Sequence, residues 1–176
     1  MLQKLLQKRV HGWRSEGHAG TSVTVLTKNL ELAAKEVTLA ASVDKELANH
    51  LVGDALENVV SAFDGFGREI CARKGANIQF QNLVSARRRV QDVFAVDFAD
   101  VLSPSDWDHA CRVFQKRHLL AHRMGVVDAE YIQRANDASA VVGRRIAIGP
   151  EEATSAIVMV DALGRRLFAA PLAQSA

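Results

Sequence analysis

The sequence predicts an all-α protein, a bundle of about five or six helices. Three observations carry this expectation. The three prolines, Pro104, Pro150 and Pro171, fall at proposed helix edges, so long stretches are free of the strongest helix breaker. Apolar residues recur at helical spacing through most of the chain. At 176 residues, 48% hydrophobic and 24% charged, the chain has the length and composition of one globular domain with a sizeable core.

Residues 1–22 are set apart as an N-terminal helix and loop. Leu2 to about Arg14 places Leu2, Leu5, Leu6 and Val10 on one side, and Ser15 to Ser22 reads as a loop. This segment is expected to be poorly ordered, packing last or serving a partner contact. Residues 23–176 form the helical domain. Val23-Thr24-Val25 has β-branched, strand-like residues, but the continuation through Ala41 is helical in character, which favours a helix from about Thr24. Ser42 or Asp44 caps the longest helix, about Val43 to Arg73, with Leu47, Leu51, Val59, Phe63, Phe66 and Ile70 near helical spacing. Gly65 and Gly67 interrupt it, allowing a kink or close approach of a neighbour. Asp64 is placed to pair with Arg68 one turn later.

Asn77 to Gln81 reads as a connector, and Asn82 to about Phe94 as a helix with Leu83, Val90 and Val93 inward. Ala95 to Leu102 bridges onward, as a short helix with Phe98 and Val101 packing. Ser103-Pro104-Ser105-Asp106 then opens a helix with an N-cap serine, a proline in the first turn and an acidic residue at the positive dipole end. Gly125 stops that helix after about twenty residues. Asp128 caps a helix to about Asn136, Val141 to Gly149 is extended or irregular, and Pro150 starts the last helix. Its apolar side is Ile157, Val158, Val160, Leu163, Leu167 and Phe168.

The helix from Ser103 carries the chemistry. It contains Arg117-His118-Leu119-Leu120-Ala121-His122. Arginine stays charged and holds phosphate oxygens with a planar fork of donors. Histidine titrates near neutrality and both takes and gives protons. At about 100° per residue, Trp107, Ala110, Phe114 and Ala121 form an apolar stripe with Cys111 beside it. Arg117 lies on one margin and His118 and His122 on the other, so the stripe is expected to face a two-fold partner with polar groups along its edges. Taken singly, Arg117 has an alternative in a carboxylate partner on a neighbouring helix. His122 has one in complementing the negative end of the helix dipole.

The run from Phe114 through Gly125 to Asp128 resembles the signature helix of HEPN domains, in which an arginine, a polar residue, three variable residues and a histidine form the active motif. Tyr131 and the Val142-to-Ile148 segment are similar to the region just past that motif in several HEPN groups. The resemblance covers about thirty residues and implies a HEPN-like helical bundle. It further implies a metal-independent endoribonuclease, acting as a toxin or defence effector and working as a homodimer through the motif helix. Arg117 would stabilise the charged phosphorane, His122 would act as acid or base, and His118, in the polar position, would orient the partner groups or the RNA. A cognate antitoxin or regulatory protein is an implied partner. The alternative within the resemblance is a non-catalytic HEPN-like module that binds RNA or protein in a defence or stress system. A third reading is an unrelated helical regulator, in which Arg117 and His122 would lie far from any shared cleft.

A net charge of +2 excludes a strongly basic coat. Local basic segments remain: Arg87-Arg88-Arg89, then Lys116 with Arg117 and Arg123, then Arg144-Arg145. Of these, Arg87, Arg88, Arg89, Lys116 and Arg123 are the expected RNA contacts. No carboxylate or His/Cys cluster has a convincing metal-ligand spacing, so neither metal nor cofactor is expected. Cys71 and Cys111, forty residues apart in apolar helical contexts, read as reduced buried thiols. There is no apolar run of bilayer length and no apolar core of a secretory signal near Met1, so no membrane partner and a cytoplasmic location are expected.

Overall fold

A computed structural model describes residues 19–172. Among them are six helices and no strand: α1 Ala19–Ala40, α2 Lys45–Arg73, α3 Leu83–Phe94, α4 Pro104–Arg123, α5 Ala129–Ala135 and α6 Pro150–Phe168. The expected helix over Leu2 to Arg14 lies outside the described residues. The expected loop through Ser22 is corrected at its end: Ala19 to Ser22 is already the first turn of α1, and Ser22 is buried. No described helix is long and apolar enough to cross a membrane.

The caps are local and clear. Asp44, rather than Ser42, caps α2 by accepting from the Glu46 and Leu47 amides. Asn82 accepts from the Ser85 amide, and Asp128 from the Tyr131 amide. At α4 the Ser103 hydroxyl oxygen accepts from the Asp106 amide at 3.2 Å, while the hydroxyl donates to the Asp106 carboxylate at 2.7 Å. That reciprocal pair satisfies an amide that would otherwise lack a partner.

α2 is the central element, packing on α1, α4 and α6. Val59, Phe63, Phe66 and Ile70 are buried along it as the spacing predicts, whereas Leu47 is 45% exposed. The helix runs unbroken through Gly65 and Gly67. Gly67 is there for close approach: a Cβ at this position would lie 2.5 Å from the Phe80 ring. Asp64 explains why that ring is fixed. Its carboxylate accepts from the Phe80 backbone amide at 2.7 Å and lies 3.4 Å from Arg68 Nε. The connector is therefore core-forming, with Ile78 and Phe80 buried. Phe63 meets Phe80 edge-on at 5.4 Å and Phe114 edge-on at 6.1 Å, and Phe98 joins the cluster.

Two expectations here need correction. The bridge from Ala95 to Leu102 is a series of turns and not a helix, entered through Ala95 in the left-handed region, with Phe98 buried and Val101 exposed. On α6, Ile157, Val160, Leu163 and Leu167 are buried, but Val158 lies at the surface.

A second, smaller core supports the exit of α4. Leu119, Val127, Tyr131 and Ala135 are buried together, with Ile132, Ala140 and Ile146 packed against them. The segment after α5 folds back onto this exit. The Gly143 amide donates to the Val127 carbonyl, the Val127 amide to the Arg144 carbonyl, and the Ile146 amide to the Gly125 carbonyl. Val126 and Arg145 form an isolated antiparallel bridge. The irregular surface segment is therefore pinned to the end of the motif helix.

Candidate functional site

The motif residues lie on the last two turns of α4. That helix ends with Met124 and Gly125 in succession at positive φ, 51° and 74°, and the Gly125 amide caps the Leu119 carbonyl at 2.9 Å. The apolar stripe changes environment along its length. Ala110 and Phe114 are fully buried within the protomer, Trp107 is half-buried, and Ala121 is exposed. The expectation that the whole stripe faces a two-fold partner is corrected for this reason: Phe114 already packs on Phe63 of its own chain. The stripe emerges only beyond Leu119, at Ala121, and His118 and His122 lie at the surface on these last turns.

Arg117 is half-buried on the α2 side. Its Nη2 donates to the Ser61 hydroxyl oxygen at 3.3 Å, and its Nε is buried without a hydrogen-bond partner. Among the described residues no carboxylate forms an ion pair with it, which was the ordinary alternative for this residue. His118 and His122, one turn apart, lie with ring centres 4.7 Å apart and ring planes tilted by 54°. The sequence places both histidines on one margin of this helix, and four residues is the interval that brings two helical side chains together. Arg123 is exposed and lies 3.5 Å from Asp128.

The proposed RNA contacts divide sharply. Lys116 is corrected to a structural residue: it is buried, 2.8 Å from Glu152 and donating to the Ala147 carbonyl at 3.2 Å. Arg87 is also held within the fold, with its side chain 38% exposed. It forks onto Asp97, Nε at 2.9 Å, and lies 4.7 Å over the Trp107 ring. The hydrogen bond from Arg87 holds the Asp97 carboxyl below its ordinary range, against the opposing effect of burial. Arg88 and Arg89 are exposed on α3. Arg87 meets α4 at Trp107, about 15 Å of helix from Arg117 and about 22 Å from His122. The triplet is not brought to the motif. Arg144 and Arg145 are, because the 143–146 segment bonds to residues 125–127, and both are exposed.

A groove of about 540 Å³ runs between the N-terminal half of α2 and the exit of α4. Leu120, Met124, Gly125 and Arg145 line it, opposite Lys45, His50, Asp54 and Glu57. Arg117, His118 and His122 do not line it. His118 instead borders a shallow indentation with Asp128 and Tyr131. Tyr131 is structural: burial and its 2.7 Å hydrogen bond to the Asp137 carboxylate push its hydroxyl pKa up. Cys111 is raised to about 11 by burial, which leaves it a poor nucleophile at neutral pH. No group of three or more His, Cys, Asp or Glu able to hold a metal ion occurs among the described residues.

No known protein family, curated protein or solved structure matches this chain.

Proposed function

We propose that this protein is a metal-independent endoribonuclease of the HEPN type, a toxin or defence effector whose catalytic surface is the emerging end of α4. The reading rests on the motif resemblance together with one structural observation. Among the described residues Arg117 is held by one long hydrogen bond and no ion pair, and the same two turns carry two exposed imidazoles. An arginine with an unpartnered donor loses little by turning toward a phosphate.

In the proposed reaction an imidazole takes the proton of the RNA 2′-hydroxyl, and the resulting oxygen attacks the adjacent phosphorus. The bond from phosphorus to the 5′-oxygen breaks, and a protonated imidazole returns a proton to that leaving oxygen. The products are a 2′,3′-cyclic phosphate and a 5′-hydroxyl. His122 serves as acid or base, Arg117 neutralises the phosphorane, and His118 orients His122 or the RNA. Arg123, Arg144 and Arg145 supply positive potential around the exit of α4.

The groove within one chain excludes all three motif residues. A working cleft therefore calls for a second copy facing Ala121, His118 and His122, which would bring two imidazole pairs together. The same observation is what the third reading, an unrelated helical regulator, predicts, and it also suits the second, a binding module without catalysis, in which no such cleft forms. Sedimentation and RNA cleavage by the parent and His122→Ala separate a nuclease from both. A nuclease is dimeric and needs His122. A silent module tolerates its loss.

A further inference from the structure

We propose that His118 and His122 form a two-imidazole site for a divalent transition-metal ion of the zinc, nickel and copper class, and that an ion bound there silences the RNA chemistry. The site stands on geometry alone, while the silencing rests on the function proposed above.

Two histidines four residues apart on a helix project from one face and converge on a single ion. Here the ring centres lie 4.7 Å apart. A metal about 2.1 Å from one nitrogen of each ring lies about 3.2 Å from each ring centre. Centres at the observed separation then subtend about 95° at the ion, between the octahedral and tetrahedral angles. Both imidazoles are exposed, so they reach an ion without opening the core. The C-terminal end of α4 adds the negative end of its dipole, which favours a cation.

The donor set decides the class of ion. Imidazole suits zinc, copper and nickel, whereas calcium and magnesium require oxygen ligands. With no group of three or more candidate ligands among the described residues of one chain, the remaining positions fall to water or, in the proposed dimer, to the facing imidazole pair. An ion on His122 occupies the lone pair with which that ring would accept a proton. Metal binding and proton transfer at His122 therefore exclude one another.

The test is calorimetric titration of nickel chloride into the chelator-stripped full chain, without RNA, alongside magnesium chloride. The expected result is nickel uptake of one equivalent per chain, or half of one where two facing pairs share an ion, that disappears in both His118→Ala and His122→Ala, with no magnesium uptake at that site. His50→Ala and the His11→Ala/His18→Ala pair keep that uptake. Circular dichroism verifies that the variants are folded, as expected at His50, His118 and His122, which are exposed. No nickel uptake by the parent, or parent-like uptake by either folded motif variant, overturns the site. For the silencing, nickel should arrest RNA cleavage and chelator should restore it; undiminished cleavage with nickel bound overturns that part. A parent that never cleaves RNA removes the silencing together with the proposed function and leaves the calorimetric result to judge the site.

Discussion

Arg117 is tied to Ser61 across the α4–α2 contact by one bond, Nη2 to the hydroxyl oxygen at 3.3 Å. The bond is long and partly exposed, so it parks the guanidinium without fixing it. Ser61→Ala should change stability by no more than about 1 kcal/mol. It should leave RNA cleavage intact, because it removes a tether and not a reacting group. Parallel melting and cleavage assays check both halves of this expectation.

Lys116 and Arg87 give the opposite pattern, damage to the fold without loss of a contact to RNA. Lys116→Ala leaves the Glu152 carboxylate, whose side chain is 15% exposed, without its partner, a loss near or below the low end of the about 3–5 kcal/mol that breaking a buried pair costs. Arg87→Ala costs less, about 1 kcal/mol, because its pair with Asp97 is partly solvated. Asp97 is held below its ordinary value in the folded chain, so its contribution is present at neutral pH and disappears as pH falls through that depressed value. Denaturant melts and RNA-binding isotherms for both variants separate stability from affinity.

Gly67→Ala places a methyl group against the Phe80 ring, whose backbone is anchored by Asp64. The ring has little freedom to withdraw. A loss of about 1–3 kcal/mol is expected, read as a lower denaturation midpoint with an unchanged slope. Unaltered stability would mean that the α2–connector contact is looser than described.

Phe114 and Ala121 lie on one stripe but answer to different contacts. Phe114→Glu buries a charge among Phe63 and its neighbours and should unfold the chain. Ala121→Trp should leave the monomer folded, since Ala121 is exposed, while its bulk separates a pair of motif helices. Sedimentation velocity of Ala121→Trp distinguishes a dissociated dimer from an interface located elsewhere.

Local signals were legible in the sequence. The caps at Asp44, Ser103 and Asp128 are set by neighbours within three residues, and the stop at Gly125 by the backbone of its own helix. The fates of Arg87 and Lys116 were not legible. Their partners lie ten and thirty-six residues away, and a basic residue in a string reads alike whether it meets solvent or Glu152. The stripe on α4 was legible as apolar, but periodicity does not say where a helix leaves its bundle. That point falls between Phe114 and Ala121. The His118–His122 pair is visible as a one-turn spacing, but two histidines without further ligands do not stand out as a cluster in the string.

The central claim is tested most directly by one measurement: RNA cleavage in excess EDTA by the parent and by folded His122→Ala. The proposed mechanism predicts that the parent cleaves with the chelator present, leaving 2′,3′-cyclic phosphate ends. The variant should be slower by about a hundred- to ten-thousand-fold, the usual worth of a general acid or base. A folded His122→Ala that cleaves as fast as the parent would contradict the account. So would parental activity that vanishes in EDTA and returns with a divalent ion.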